Sequence, residues 1–266
     1  MLAELAILAF SPARMSMRRM GLLGKSVALW SRATRQRRIW AAHEARCHDV
    51  ILQAVSRLAR RQTVLVLGSG LCRDVPLAQL AAAFSKVVLI DAVHLWPVRM
   101  RIRQYPNVEL RSRDLTGAVE LLLDQQSARQ QPLADFQADG QVDLVISANC
   151  LSQLPLGLYD WLEKDPRREA RWGAEFPGQA VGWHLEDLAA FACPACLITD
   201  VRSREVSACG EALHQEDLMR GHVLPKADHS WEWVVVPRGG EGQTHEQRHD
   251  VQAWNDIGPA LRAGPV

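Results

Sequence analysis

Five short apolar runs punctuate the chain: Thr63–Leu67, Lys86–Asp91, Val108–Arg111, Val142–Ser147 and Ala195–Asp200. Each is too short for a helix and rich in β-branched residues, so each predicts a buried strand. The third is more polar and predicts a place nearer the sheet edge. Between the runs the period changes. Trp40, His43, Glu44, Cys47, Val50, Ile51, Ala54 and Leu58 recur at three- and four-residue spacing, which predicts one or two helices over 30–61. Asp74-Val75-Pro76 reads as a helix start, with a capping carboxylate and proline in the first turn. Further helices are predicted from Trp96 to Arg103, over 117–123 and over 184–191, with a surface loop at 124–141. Trp231–Val236 and Arg248–Trp254 pair across a glycine-bearing loop (Gly239, Gly240, Gly242), a closing hairpin.

Strand and helix in alternation imply right-handed crossovers and a parallel sheet covered on both faces. The predicted fold is therefore α/β, a mostly parallel seven-stranded sheet with a closing antiparallel hairpin at 231–254. One domain over 31–256 is expected, with a helical cover at 31–61 and a cap insertion at about 154–183. A basic, flexible segment at 1–30 and a loose tail at 257–266 flank it.

Composition adds little until it is divided. The 266 residues carry a net charge of +1, which excludes a globally basic nucleic-acid binder. Residues 1–62, however, hold twelve Arg and Lys against Glu4, Glu44 and Asp49, leaving this part at +9 and the rest at −8. Such asymmetry marks either an arm for an anionic surface or a solvated helical face. The apolar start, MLAELAILAF, is too short to span a bilayer, and no transmembrane span is expected elsewhere. The six cysteines are scattered as reduced thiols would be, consistent with a cytoplasmic location.

The chemistry gathers where the first two strands end. A strand, Gly68-Ser69-Gly70 and a helix start let a ligand lie against bare backbone. Asp91 closes the second strand, 21 residues after Gly70, where a carboxylate accepts ribose hydroxyls. Each feature also has a structural role, as a tight turn or a helix cap. Together they point to a nucleoside-bearing ligand.

With these residues the chain resembles the class I, Rossmann-like S-adenosylmethionine-dependent methyltransferases over roughly 40–255. The resemblance rests on VLVLGSG (64–70), DAVH (91–94), RDLTG (113–117), ISANCLSQLP (146–155) and the hairpin. It implies S-adenosylmethionine as cofactor. Gly68, Ser69 and Gly70 would lie against its amino-acid part, Asp91 would hold the ribose, and Asp114 with Leu115 would flank the adenine. Asn149 would meet donor or substrate. Two positions depart from the pattern: Val66 stands where the family has an acid, and Cys72 replaces a third glycine. Asp74 is either a substitute for the missing acid or simply a helix cap.

For catalysis His184, His94 and Asn149 are the candidates, each with an ordinary structural alternative. Trp161, Trp172 and Trp183 either wall an acceptor pocket or pack. His43 and His48, five apart, do not share a helical face, and Cys193-Pro194-Ala195-Cys196 has no second pair, so no metal is expected. The segment Ser147-Ala148-Asn149-Cys150 lacks the motif of base N-methylation. The expected acceptor is thus an unidentified small molecule. An RNA or protein acceptor reached through the basic arm (Arg35, Arg37, Arg38) and a non-catalytic nucleoside-binding or scaffold role are the alternatives. A nicotinamide oxidoreductase is disfavoured by Arg73 at the third glycine position of its fingerprint. Oligomeric state is not expected from any of these features.

Overall fold

A computed structural model describes residues 2–240 and 244–264. Eight strands form one sheet: β1 Thr63–Leu67, β2 Lys86–Asp91, β3 Val108–Ser112, β4 Val142–Ala148, β5 Ala195–Val206, β6 Ala212–Asp217, β7 His229–Val236 and β8 Glu246–Trp254. The helices are α1 Leu2–Phe10, α2 Met15–Arg19, α3 Leu22–Arg35, α4 Arg37–Ser56, α5 Leu77–Ala83, α6 Trp96–Ile102, α7 Val119–Leu122, α8 Ala134–Gln137, α9 Leu154–Glu163, α10 Pro166–Trp172, α11 Gln179–Ala189 and α12 Gly258–Arg262.

Seven strands follow the path β3-β2-β1-β4-β5-β8-β7, and β6 pairs with β5 off that path. β3, β2, β1, β4 and β5 are mutually parallel, while β8 runs antiparallel to both β5 and β7. The inner parallel strands β1 and β2 are apolar on both faces because both faces are covered. Val64 and Val66 point to the side packed by α4 and α5, and Leu65 and Leu67 to the side packed by α11. The same alternation separates Val87 and Leu89 from Val88 and Ile90.

The additional strand has a clear origin. β5 is twice the length of its apolar run, because Val201–Val206 continues it with Arg202, Arg204 and Glu205. That half-exposed extension offers an edge to β6, whose six residues are nearly all exposed. Gly242, placed in the hairpin loop by sequence, lies outside the described residues.

The segment at 1–30, expected to be flexible, is mostly helical over its described residues, in α1, α2 and the first part of α3. Ile7, Met17, Met20, Leu23 and Val27 bury with Val93, Leu95, Val119, Leu158 and Trp161 in one apolar cluster. The apolar positions of this segment, rather than its charges, set its place. Ile257, expected in a loose tail, is fully buried and leads into α12. Among the described residues no helix is long and apolar enough to cross a membrane.

Candidate functional site

The site lies at the C-terminal ends of β1, β2, β3 and β4, where the strand order reverses between β1 and β4. Open α/β sheets place ligands at such a switch point. After Leu67 the chain turns sharply, with Gly68 at φ +67° and Gly70 at φ +46°. The N–H of Gly68 donates to the Ile90 carbonyl at 2.9 Å. A Cβ on Gly68 would come within 2.1 Å of the Cys150 Cβ, so the turn after β1 and the start of the β4 loop meet only because this residue is glycine. Asp91 ends β2 with one oxygen accepting from the Gly70 N–H (2.8 Å) and the other from Val93 N–H (3.2 Å). Its carboxylate is thereby aimed by backbone.

A cavity of about 500 Å3 opens over these strand ends. It is lined by Gly68, Gly70, Asp91, Asp114, Leu115 and Asn149, so six of the seven residues expected to meet the cofactor are brought together. Ser69 does not line it. Its side chain is fully buried under the turn, with the hydroxyl unpartnered. Asp114 is more constrained than its expected role suggests. Its oxygens accept from Thr116 N–H (2.9 Å), the Thr116 hydroxyl (2.7 Å) and Val119 N–H (2.9 Å). Burial pushes this carboxyl up, and those same donors oppose the shift.

The opposite wall comes from α3, α4, the β4 loop and β7. Asn149, at φ +49°, donates from its amide to Asp74 Oδ2 at 2.8 Å, and its own Oδ1 is buried without a partner. Asp74 is not the cap of α5, which begins at Leu77 with no side-chain cap. Instead it lines the cavity, its carboxyl pushed up by burial and held down by the Asn149 amide. A carboxyl thus reaches the site although Val66 stands fully buried in β1. Glu44 pairs with Arg73 (2.6 Å), whose Nη1 also donates to the Ala33 carbonyl (2.7 Å), tying α3 and α4 to the β1 loop.

Neither histidine proposed from sequence as a base reaches the cavity. His94 and His184 are completely buried. His94 meets the Arg111 carbonyl at 3.3 Å, and His184 meets the Ser147 hydroxyl at 2.9 Å beneath β4. Burial pushes His184 down to about 4, so it stays neutral. The histidine that lines the cavity is His43 on α4. It stacks on Trp233 with ring centres 4.0 Å apart, and the Trp231 indole donates to its Nδ1 at 3.1 Å. A neutral ring that accepts at Nδ1 carries its proton on Nε2. Of the groups near that nitrogen only the Cys47 sulfur, at 3.5 Å, can accept from it, the Asn149 amide nitrogen at 3.3 Å being a donor itself. Burial pushes His43 down to about 4. His43 is therefore a fixed donor rather than a ready base. Its sequence signal was its place in the apolar stripe of α4, one turn from both Trp40 and Cys47.

The cap tryptophans do not wall this cavity either. Trp172, Phe176 and Trp183 form an aromatic ladder at 5.1 and 5.6 Å, and Arg168 covers Trp161 at 4.0 Å. Trp40 and Trp233 line the site instead. Cys196 is buried in β5 with Cys193 part-exposed before it. Among the described residues no group of three or more His, Cys, Asp or Glu is placed to hold a metal.

This strand order, with its reversed closing hairpin and the cavity at the switch point, defines a Rossmann-like α/β architecture. No protein-family model matches the chain, and no curated protein matches it in sequence. Among solved structures it is similar to the 1,6-didemethyltoxoflavin-N1-methyltransferase of Burkholderia thailandensis, bound to 1,6-didemethyltoxoflavin and S-adenosylhomocysteine. There the TM-score is 0.41 and the identity 14%, over 92% of each chain. It is similar to DhpI in a SAM–HEP complex, at TM-score 0.40 and 16% identity over 90% of this chain and 99% of that one. It is similar also to the N-methyltransferase NodS of Bradyrhizobium japonicum WM9 with S-adenosylhomocysteine, at TM-score 0.36 and 11% identity over 79% and 85%.

Proposed function

We infer that the protein binds S-adenosylmethionine in this cavity and transfers its methyl group to a small-molecule acceptor. The observation that carries the reading is the convergence of Gly68, Gly70, Asp91, Asp114, Leu115 and Asn149 on one cavity at the switch point. When bound, the cofactor supplies an electrophilic methyl on a sulfonium. The residues fit such a group. Bare backbone at Gly70 leaves open space, since a Cβ there would meet nothing nearer than 3.7 Å. Asp91 is pre-aimed for hydroxyls, and the unpartnered Asn149 Oδ1 and the Asp74 carboxyl beside it would hold an ammonium.

The protein's work is then positioning and exclusion of water. Trp40, His43 and Trp233 form an aromatic wall, with Glu44, Arg73, Lys25 and Arg32 among the charged groups beside it. α3 and α4 roof the cavity, which favours an acceptor small enough to share about 500 Å3 with the donor over a macromolecule.

Calorimetric titration with S-adenosylmethionine and S-adenosylhomocysteine tests the reading. Wild-type protein is expected to bind both. Asp91→Ala is expected to bind roughly tenfold to hundredfold more weakly, as loss of charge-assisted hydrogen bonds would cause. Absence of heat and of thermal stabilisation with either ligand, in folded wild-type protein, rules the reading out.

A further inference from the structure

α1 presents an apolar face that none of the described residues covers. Its only charged side chain, Glu4, is turned in to the Ser31 hydroxyl, and Ile7 is its one buried residue. Leu2, Leu5, Ala6, Ala9 and Phe10 share the opposite arc at helical spacing. Leu2 is 86% exposed, Leu5 59% and Phe10 68%. A helix apolar on all sides belongs in a core, yet only one side of this one is in the core. The face continues onto α6. The rings of Phe10 and Trp96 are 6.3 Å apart, and the Ser11 hydroxyl accepts from the Trp96 N–H at 2.8 Å. Trp96 and Met100, one turn apart, are both exposed. The patch is held rigidly: Arg18 donates to the Ser11 carbonyl, and α1 packs on α3.

Along the chain its flanks are basic, although the Ser16 hydroxyl of α2 donates to Glu120 from α7 beside them (2.8 Å). Arg14, Arg18 and Arg19 are exposed just after α1, and Arg103 is exposed three residues beyond Met100. No acid occurs between Glu4 and Glu44, nor between Asp91 and Glu109. Apolar side chains with a tryptophan at the centre and arginines around them match the boundary between acyl chains and anionic headgroups. A nucleic acid would use the arginines and leave the apolar face in water. A second copy of the chain would set the arginines against one another.

We propose that the α1–α6 face docks the protein on an anionic lipid bilayer, with Leu2, Leu5, Phe10 and Trp96 entering the headgroup boundary and Arg14, Arg18, Arg19 and Arg103 meeting lipid phosphates. The inference does not depend on the methyltransferase reading, because it uses no residue assigned to the donor site.

Flotation of the full chain with phosphatidylcholine vesicles, with and without phosphatidylglycerol, is the test. Binding is expected with phosphatidylglycerol, falling as salt is raised. The double variant Leu5→Asp/Phe10→Asp should lose it at least tenfold while melting as wild type does, since both side chains are exposed. Each of Arg14→Ala and Arg19→Ala should weaken it about fivefold. If the double variant misfolds, the arginine variants and the salt series carry the test. No binding to anionic vesicles, or equal binding to both compositions, overturns the proposal. So does a sedimentation dimer dissolved by Leu5→Asp/Phe10→Asp without vesicle binding, which assigns the face to a second copy.

Discussion

Gly68→Ala is expected to destabilise the protein by about 2–5 kcal/mol and to abolish cofactor binding. Two costs add. Gly68 sits at φ +67°, where a side chain costs roughly 1–2 kcal/mol. The new Cβ would also lie 2.1 Å from the Cys150 Cβ and 2.7 Å from its sulfur, and forcing such contacts apart costs roughly 1–3 kcal/mol more. Cys150 has little room to yield. It is buried beneath the turn at the edge of the cavity, with its thiol pushed up to about 12 by burial and set against the Ser147 hydroxyl at 3.4 Å. For a domain of this size the melting midpoint should fall by about 10 °C. Gly70→Ala is the informative contrast. At φ +46° it bears the backbone cost, but its Cβ would meet only the Gly68 carbonyl, at 3.7 Å. Its melting should drop by a few degrees while cofactor binding is lost, because the methyl group occupies the space through which the ligand approaches backbone. Thermal scans and titrations on both variants check this. A Gly68→Ala protein that melts with the wild type would refute the packing argument.

Those two glycines were legible in sequence, and so was Asp91, because each sits at the end of an uninterrupted apolar run. β1 and β2 have the boundaries their sequences predict, since a strand buried on both faces has no polar position to blur its ends. Legibility fails where burial is one-sided or where a partner decides. Val201–Val206 extends β5 with alternating polar residues, and β6 exists only because that extension offers it an edge. The helices over 2–29 were not legible, being placed by a few apolar residues that meet Val93, Leu95 and Val119 from distant parts of the chain. The histidines show the same limit. Sequence places His94 and His184 beside strands that end at the site. Which face of the backbone they leave from, and so whether they reach the cavity or the core, follows from packing. His43 reaches the cavity through the stack on Trp233, a contact between residues 190 positions apart.

The buried histidines carry the second large expected effect, a loss of stability on mild acidification. His43 and His184 are both pushed down by burial to about 4 from an ordinary value near 6.5. Between those values the unfolded chain takes up a proton that the folded chain refuses, so stability rises with pH across that window. Each histidine contributes stability that is fully present above about pH 6.5 and lost as pH falls towards 4, amounting to roughly 3 kcal/mol per site. Asp74, Asp114 and Asp187 act in the opposite sense. Their carboxyls are raised by burial, so protonation as pH falls through their folded values favours the native state. The net curve therefore mixes both, and a difference measurement isolates one site. His184 is the better probe, since it touches Ser147 rather than the cavity. Urea unfolding of wild type and His184→Gln should be compared at pH 7.5 and pH 5. The variant will be less stable at the higher pH, having lost a buried side chain fitted to its site. Its further drop on acidification should be smaller than the wild type's by about 2 kcal/mol, because the proton uptake that separates the folded from the unfolded chain at this site is gone. Parallel loss in the two proteins would mean that His184 is protonated in the folded state as readily as in the unfolded one, and that water reaches the ring beneath β4.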